Sequence, residues 1–101
     1  MTMRHLTLIC MAGISTSLLV NKMKRLIQNE NLEIAVTAMS ERAFQGYTGQ
    51  TDVLLLGPQL GHRFESLKEQ YESKGIRIDR IDPEHFGAMD AKAVLEQAFP
   101  D

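Results

Sequence analysis

The chain has one cysteine, and the residues after it are of the types that handle phosphate: Cys10 is followed by Met11-Ala12-Gly13-Ile14-Ser15-Thr16-Ser17. A thiolate is a strong nucleophile, and it is favoured wherever positive charge or free N–H groups face the sulfur. The first backbone N–H groups of a helix have no intrahelical acceptor. Together with the positive end of the helix they form a ready anion site, so a helix beginning just after Cys10 would both activate the thiol and cradle a phosphoryl group. Gly13 lets the backbone turn inward without a Cβ in the way, and the hydroxyls of Ser15, Thr16 and Ser17 can donate to phosphate oxygens or cap the helix. The chemistry suggested is phosphoryl acceptance on Cys10, held by Met11, Ala12, Gly13, Ile14, Ser15, Thr16 and Ser17. Each part has a plainer use as well, since a cysteine at a strand end serves as a small buried hydrophobe and Ser-Thr-Ser as a cap. The conjunction of strand, cysteine, glycine turn, hydroxyls and helix separates the two.

The flanking residues predict the elements that would hold this loop. His5 to Ile9 is an apolar run too short for a helix, so it predicts a strand ending at Cys10. From Thr16 or Ser17 the period changes: Leu19, Met23, Leu26 and Ile27 share one helical face and Asn21, Lys22, Lys24 and Arg25 the other, fading near Asn29 to Asn31. Leu32, Ile34, Val36 and Ala38 alternate as a strand, and Ser40 caps a short helix over Glu41 to Tyr47. Val53-Leu54-Leu55-Leu56 is the continuous run of a central strand buried on both faces, stopped by Gly57-Pro58. Leu60, Phe64, Leu67 and Tyr71 stripe a helix that ends at Gly75. Ile76, Ile78 and Ile81 form a strand that Asp82-Pro83 breaks, and Asp90 caps a last helix with Ala91, Val94, Leu95 and Ala98 inward. Strict alternation predicts an α/β fold with a four-stranded, largely parallel sheet. In such sheets ligands sit beyond the carboxyl ends of the strands, here Cys10 to Ser17, Met39-Ser40, Gly57 to Gln59 and Asp82 to Glu84.

Composition narrows the function classes. The 101 residues, 44% hydrophobic and 24% charged, fit one compact domain over residues 1–101, with too little area for a deep enclosed pocket. A net charge of −2 with no basic block argues against nucleic acid, and a lone cysteine rules out an internal disulfide or a CxxC pair and fits the cytoplasm. Arg4 with Leu6, Leu8, Ile9 and Cys10 imitates a secretion signal, but the run is short and lacks a small-residue cleavage site. His5, His62 and His85 make no ligand spacing with Cys10, so no metal or other cofactor is expected. Lys22, Lys24 and Arg25 form a solvated face close enough to the loop to meet an acidic partner. The methionines read as core filler except Met11, which is placed to offer an apolar docking patch. Gln59 serves equally as a turn residue or as a group facing the loop.

Cysteine phosphatases carry Cys, five residues, Arg, then Ser or Thr, and their arginine stabilises the transition state. Here Thr16 holds the arginine position, which favours a cradle that keeps a phosphoryl group over one that gives it to water. Asp52 and Asp82 are the candidates for a phosphatase-type general acid. The run Leu8-Ile9-Cys10-Met11-Ala12-Gly13-Ile14-Ser15-Thr16-Ser17-Leu18-Leu19-Val20, with Lys22-Met23 and the later Asp52-Val53-Leu54-Leu55-Leu56-Gly57-Pro58-Gln59, resembles the enzyme IIB component of the lactose/cellobiose/chitobiose family of the bacterial sugar phosphotransferase system. The resemblance implies a four-stranded parallel sheet flanked by helices on both faces, as in low-molecular-weight tyrosine phosphatase. It also implies a cytoplasmic phosphoryl carrier: Cys10 takes the group from a phosphohistidine of a IIA protein and passes it to a sugar, a β-linked disaccharide, held by the membrane IIC permease. After Gln59 relatives carry an apolar residue, Arg and an aromatic, whereas this chain has Leu60-Gly61-His62-Arg63-Phe64, a departure that bears on partner contact and sugar class. The carrier is expected to work as a monomer. The alternatives from the residues are a low-molecular-weight cysteine phosphatase or arsenate reductase, and a non-catalytic phosphate-sensing module.

Overall fold

The computed structural model describes residues 2–11 and 14–100, with the backbone alone for Ile14 and Ser15. The short apolar runs are strands: β1 (Arg4–Ile9), β2 (Ile34–Met39), β3 (Val53–Leu56) and β4 (Arg77–Arg80). Between and after them come α1 (Ile14–Asn29), α2 (Glu41–Gln45), α3 (Phe64–Tyr71), α4 (Pro83–Gly87) and α5 (Ala91–Ala98), with 3₁₀ segments at Pro58–Arg63 and Glu72–Lys74. Among the described residues the strands form one four-stranded sheet in the order β2-β1-β3-β4, parallel throughout. The expected α/β fold, a four-stranded parallel sheet with helices on both faces, is the one observed.

Period-2 side-chain alternation splits even the continuous apolar strand between two cores. Val53 and Leu55 join Leu6 and Leu8 against α1 and α5, through Leu19, Val20, Met23, Val94, Leu95 and Ala98. Leu54 and Leu56 join Ile9 on the opposite face against Phe44 of α2 and Leu67 and Tyr71 of α3. There Phe44 and Tyr71 meet edge to face at 5.1 Å, a favourable aromatic geometry. β4 is an edge strand, with Ile78 its one buried residue and charged side chains elsewhere, which discourages pairing with another chain.

The boundaries differ from expectation in physically informative ways. α1 begins at Ile14, so Ser15, Thr16 and Ser17 lie inside its first turn and none of them precedes it as a cap. The stripe from Leu60 to Tyr71 is two elements, because Pro58 opens a 3₁₀ segment that kinks at Leu60 before α3 starts at Phe64. Asp82-Pro83 ends β4 as expected but also starts α4, an unexpected helix: Asp82 accepts from Glu84 N at 2.9 Å, and proline suits a first helical position. Met3, at 46% exposure, is not core filler.

Candidate functional site

Strand order fixes where a ligand can sit. The chain runs outward from β1 to β2, returns past β1 to β3, and continues to β4, so the direction of winding reverses between β1 and β3. Connections leave in opposite directions at such a point and open a crevice at the carboxyl ends of the two strands. Cys10 lies there, one residue beyond β1. Its N–H donates to Met39 O of β2 at 3.2 Å, while Gly57, just past β3, donates to Ile9 O at 2.8 Å. The ends of three strands therefore bracket the cysteine. A Cβ on Gly57 would lie 3.3 Å from Cys10 Cβ, so the absence of a side chain at Gly57 permits this close approach.

Cys10 is 8% exposed and the next residue, Met11, is 62% exposed, so the chain leaves the sheet for the surface within one step. Ala12 and Gly13 lie outside the described residues, as do the side chains of Ile14 and Ser15. Thr16 is buried and Ser17 exposed, as steps of about 100° around a helix require, so their hydroxyls do not share one face. The shared donors are on the backbone: the N–H groups of the first turn of α1, beginning at Ile14, have no intrahelical acceptor. No acidic residue occupies that turn, so the positive helix end is not offset by its own side chains.

The remaining candidates sort by distance from this centre. Gln59 belongs to it, since its Oε1 would be 3.1 Å from the same Gly57 Cβ that contacts Cys10. Asp52 does not: it precedes β3, exchanges hydrogen bonds with the backbone of His5 at 2.7 and 2.8 Å, and so stands at the amino end of the sheet, away from Cys10. Asp82 follows β4, one strand further out than β3, and is occupied in capping α4. Arg63, in the 3₁₀ segment, is bidentate to Glu41 of α2 at 3.0 and 2.8 Å, tying the loop after β3 to the one after β2. That guanidinium holds the Glu41 carboxyl below its ordinary value against the opposing effect of burial, and exposed His62 adds a smaller pull. Lys22, Lys24 and Arg25 are exposed, with Lys22 Nζ reaching Met89 O at 3.3 Å. Among the described residues no group of three or more His, Cys, Asp or Glu could hold a metal ion. No helix among them is long and apolar enough to cross a membrane.

Comparison with known proteins places the chain in a family. A family model described as the lactose/cellobiose-specific IIB subunit of the PTS system matches residues 6–97. The oligo-beta-mannoside-specific EIIB component of Bacillus subtilis is 32% identical over 97 residues, covering 96% of this chain and 94% of that protein. The cellobiose-specific EIIB component of Lactococcus lactis subsp. lactis is 33% identical, covering 92% and 91%. The galactose-specific component of Lactococcus lactis subsp. cremoris is also 33% identical, with the same coverage. Among solved structures, the cellobiose-specific IIB component of Borrelia burgdorferi superposes with a TM-score of 0.80 at 30% identity, over 98% of this chain and 91% of that one. The lactose-specific IIB domain of Streptococcus pneumoniae gives 0.77 at 16% identity, over 97% and 99%, a likeness of fold.

Proposed function

Because the chain belongs to the lactose/cellobiose-specific IIB subunits of the phosphotransferase system, we propose that it is a cytoplasmic phosphoryl carrier working through a phosphocysteine at Cys10. IIB components of this system are phosphotransferases of sugar transport. The observation that carries the finer reading is the position of Cys10, at the carboxyl end of β1 beside β3 and four residues before α1 begins at Ile14. A thiolate there attacks the phosphorus of a phosphohistidine on the IIA partner. The S–P bond forms as the P–N bond breaks, and the electron pair returns to the imidazole. In the second step a sugar hydroxyl held by the IIC permease attacks phosphorus, the S–P bond breaks with its pair returning to Cys10 Sγ, and the hydroxyl proton is released. Between the steps the loop from Met11 to Ser17 holds the group, with first-turn N–H groups of α1 on its oxygens.

Two features favour holding over hydrolysis. Thr16 stands where a phosphatase has its arginine, and Arg63 in the neighbouring loop is engaged by Glu41. Exposed Met11 and Leu18 offer apolar surface at the same rim, suited to a partner whose histidine must approach Cys10. One carrier domain, working as a monomer, suffices for both steps. Relatives at 32 to 33% identity are named for different sugars, which fits sugar choice residing in the permease; the substrate class we assign is a β-linked disaccharide.

The test is transfer onto sugar. Chain phosphorylated by IIA is added to membranes bearing a lactose/cellobiose-type IIC protein, and label is followed onto cellobiose or chitobiose. The expected result is sugar phosphate with the wild-type chain and none with Cys10→Ser. Hydrolysis of an aryl phosphate by the wild-type chain, with no transfer to any sugar, would replace the carrier with a phosphatase.

A further inference from the structure

Gln59 stands apart from the other polar residues near the crevice because its backbone is locked relative to Cys10. Gly57 N donates to Ile9 O at 2.8 Å, Leu60 N donates to Gly57 O at 2.9 Å, and Pro58 between them has a fixed φ. The loop after β3 is thereby fastened to the last residue of β1, one residue before the cysteine. From this support the Gln59 side chain folds back over Gly57. A Cβ on Gly57 would meet Gln59 Oε1 at 3.1 Å and Cys10 Cβ at 3.3 Å, so the carboxamide and the cysteine side chain border the same small space, kept open by the missing side chain. Among the described residues the Gln59 carboxamide has no protein hydrogen-bond partner, which leaves its two N–H donors free; a half-turn of the terminal torsion presents them in place of Oε1.

Resting on the carrier reading above, we propose that Gln59 is a catalytic residue of the transfer, donating a carboxamide N–H to a non-bridging oxygen of the phosphoryl group on Cys10, and that Gly57 is glycine to leave room for that contact. The donor approaches from the β3 side, whereas the first-turn N–H groups approach from α1, so the group is gripped from two directions. A neutral amide stabilises the charge on the transferring oxygens less than a guanidinium does, which suits a phosphocysteine that must survive until it is handed on. No proton changes owner in this contact; the S–P and P–N bonds form and break as already described.

Initial rates of transfer from a phosphorylated lactose/cellobiose-type IIA protein separate the outcomes. Gln59→Leu is expected to lower kcat roughly 10- to 100-fold with little change in KM for IIA, the loss of a hydrogen bond to a charged group. Gln59→Asn, which keeps the donor on a shorter arm, should recover part of that rate. Gly57→Ala should slow transfer similarly, and the double variant should be no slower than the worse single one, since both disable the same contact. A wild-type rate with Gln59→Leu would overturn the proposal and leave the carrier standing. A raised KM at unchanged kcat would also overturn it, making Gln59 a docking residue. A wild-type chain that takes no phosphoryl group from any IIA protein would remove the carrier reading and this inference together.

Discussion

Cys10 and the residues beside it show how much a single step along the chain can change. Cys10 is tucked against Gly57 at the end of a buried strand, and Met11 is exposed. This contrast fits a nucleophile reached only by a partner that covers the rim. Met11→Asp should therefore slow phosphoryl transfer from IIA by roughly tenfold, the scale of one lost apolar anchor at an interface. The thermal midpoint should stay close to wild type, because the side chain packs against little in the free protein; transfer kinetics beside a melting curve check both halves. The placing of Cys10 between a strand and a helix was legible from residue types, since a short apolar run stops at the cysteine and a helical stripe follows it. The use of the hydroxyls was less so. Their spacing could not say that α1 begins at Ile14, which sends Thr16 inward and Ser17 outward. Gln59 stayed open between two roles because its convergence on Cys10 depends on how β3 lies against β1. Asp52 was assignable to the wrong end, since a residue before a parallel strand lies at the edge opposite the carboxyl ends.

At the scale of elements, turns and caps decide where the loops point. Gly75 ends the 3₁₀ turn after α3 at φ +85°, with open space where a Cβ would go. Gly75→Ala should cost about 1 kcal/mol in urea unfolding through backbone strain alone, with transfer activity unchanged. The Glu41–Arg63 pair joins the two loops that bracket Cys10, and its carboxyl titrates below the ordinary 4.5 because of the guanidinium. A lowered carboxyl value means the pair's contribution is complete above the unfolded value and fades as pH falls through the folded one. The stability gap between wild type and Glu41→Gln should accordingly be present at neutral pH and shrink in acid, read from urea melts across the carboxylate range. The gap itself should be small, since Arg63 is partly exposed. Ser40, Asp90 and Gly75 were legible as punctuation because each does its job locally. α4 was not, because Asp82-Pro83 carries two meanings, strand breaker and helix start, and only the continuation to Gly87 chooses between them.

The whole molecule is a sheet clamped between two helical layers, with the cysteine at the reversal of winding. Leu54 and Leu55 are fully buried on opposite faces of β3, one in each core. Leu54→Ala and Leu55→Ala should each cost about 2–5 kcal/mol in chemical denaturation. A near-neutral result for either would mean that its helical layer contributes little to holding the site. Strict alternation of strands and helices made the parallel sheet legible, but it left the order β2-β1-β3-β4 open, because many windings share one alternation. That order puts Cys10 and Gly57 side by side and so turns two separate motifs into one site. A phosphocysteine carrier is defined by where the phosphoryl group resides. The chain should be incubated with phosphoenolpyruvate, enzyme I, the histidine phosphocarrier and a lactose-type IIA protein, then mapped by tandem mass spectrometry under conditions that preserve S–P bonds. The expected result is one phosphoryl group on Cys10 that appears only when IIA is present; a bare Cys10 after incubation with several competent IIA proteins, or the group on any other residue, would contradict it.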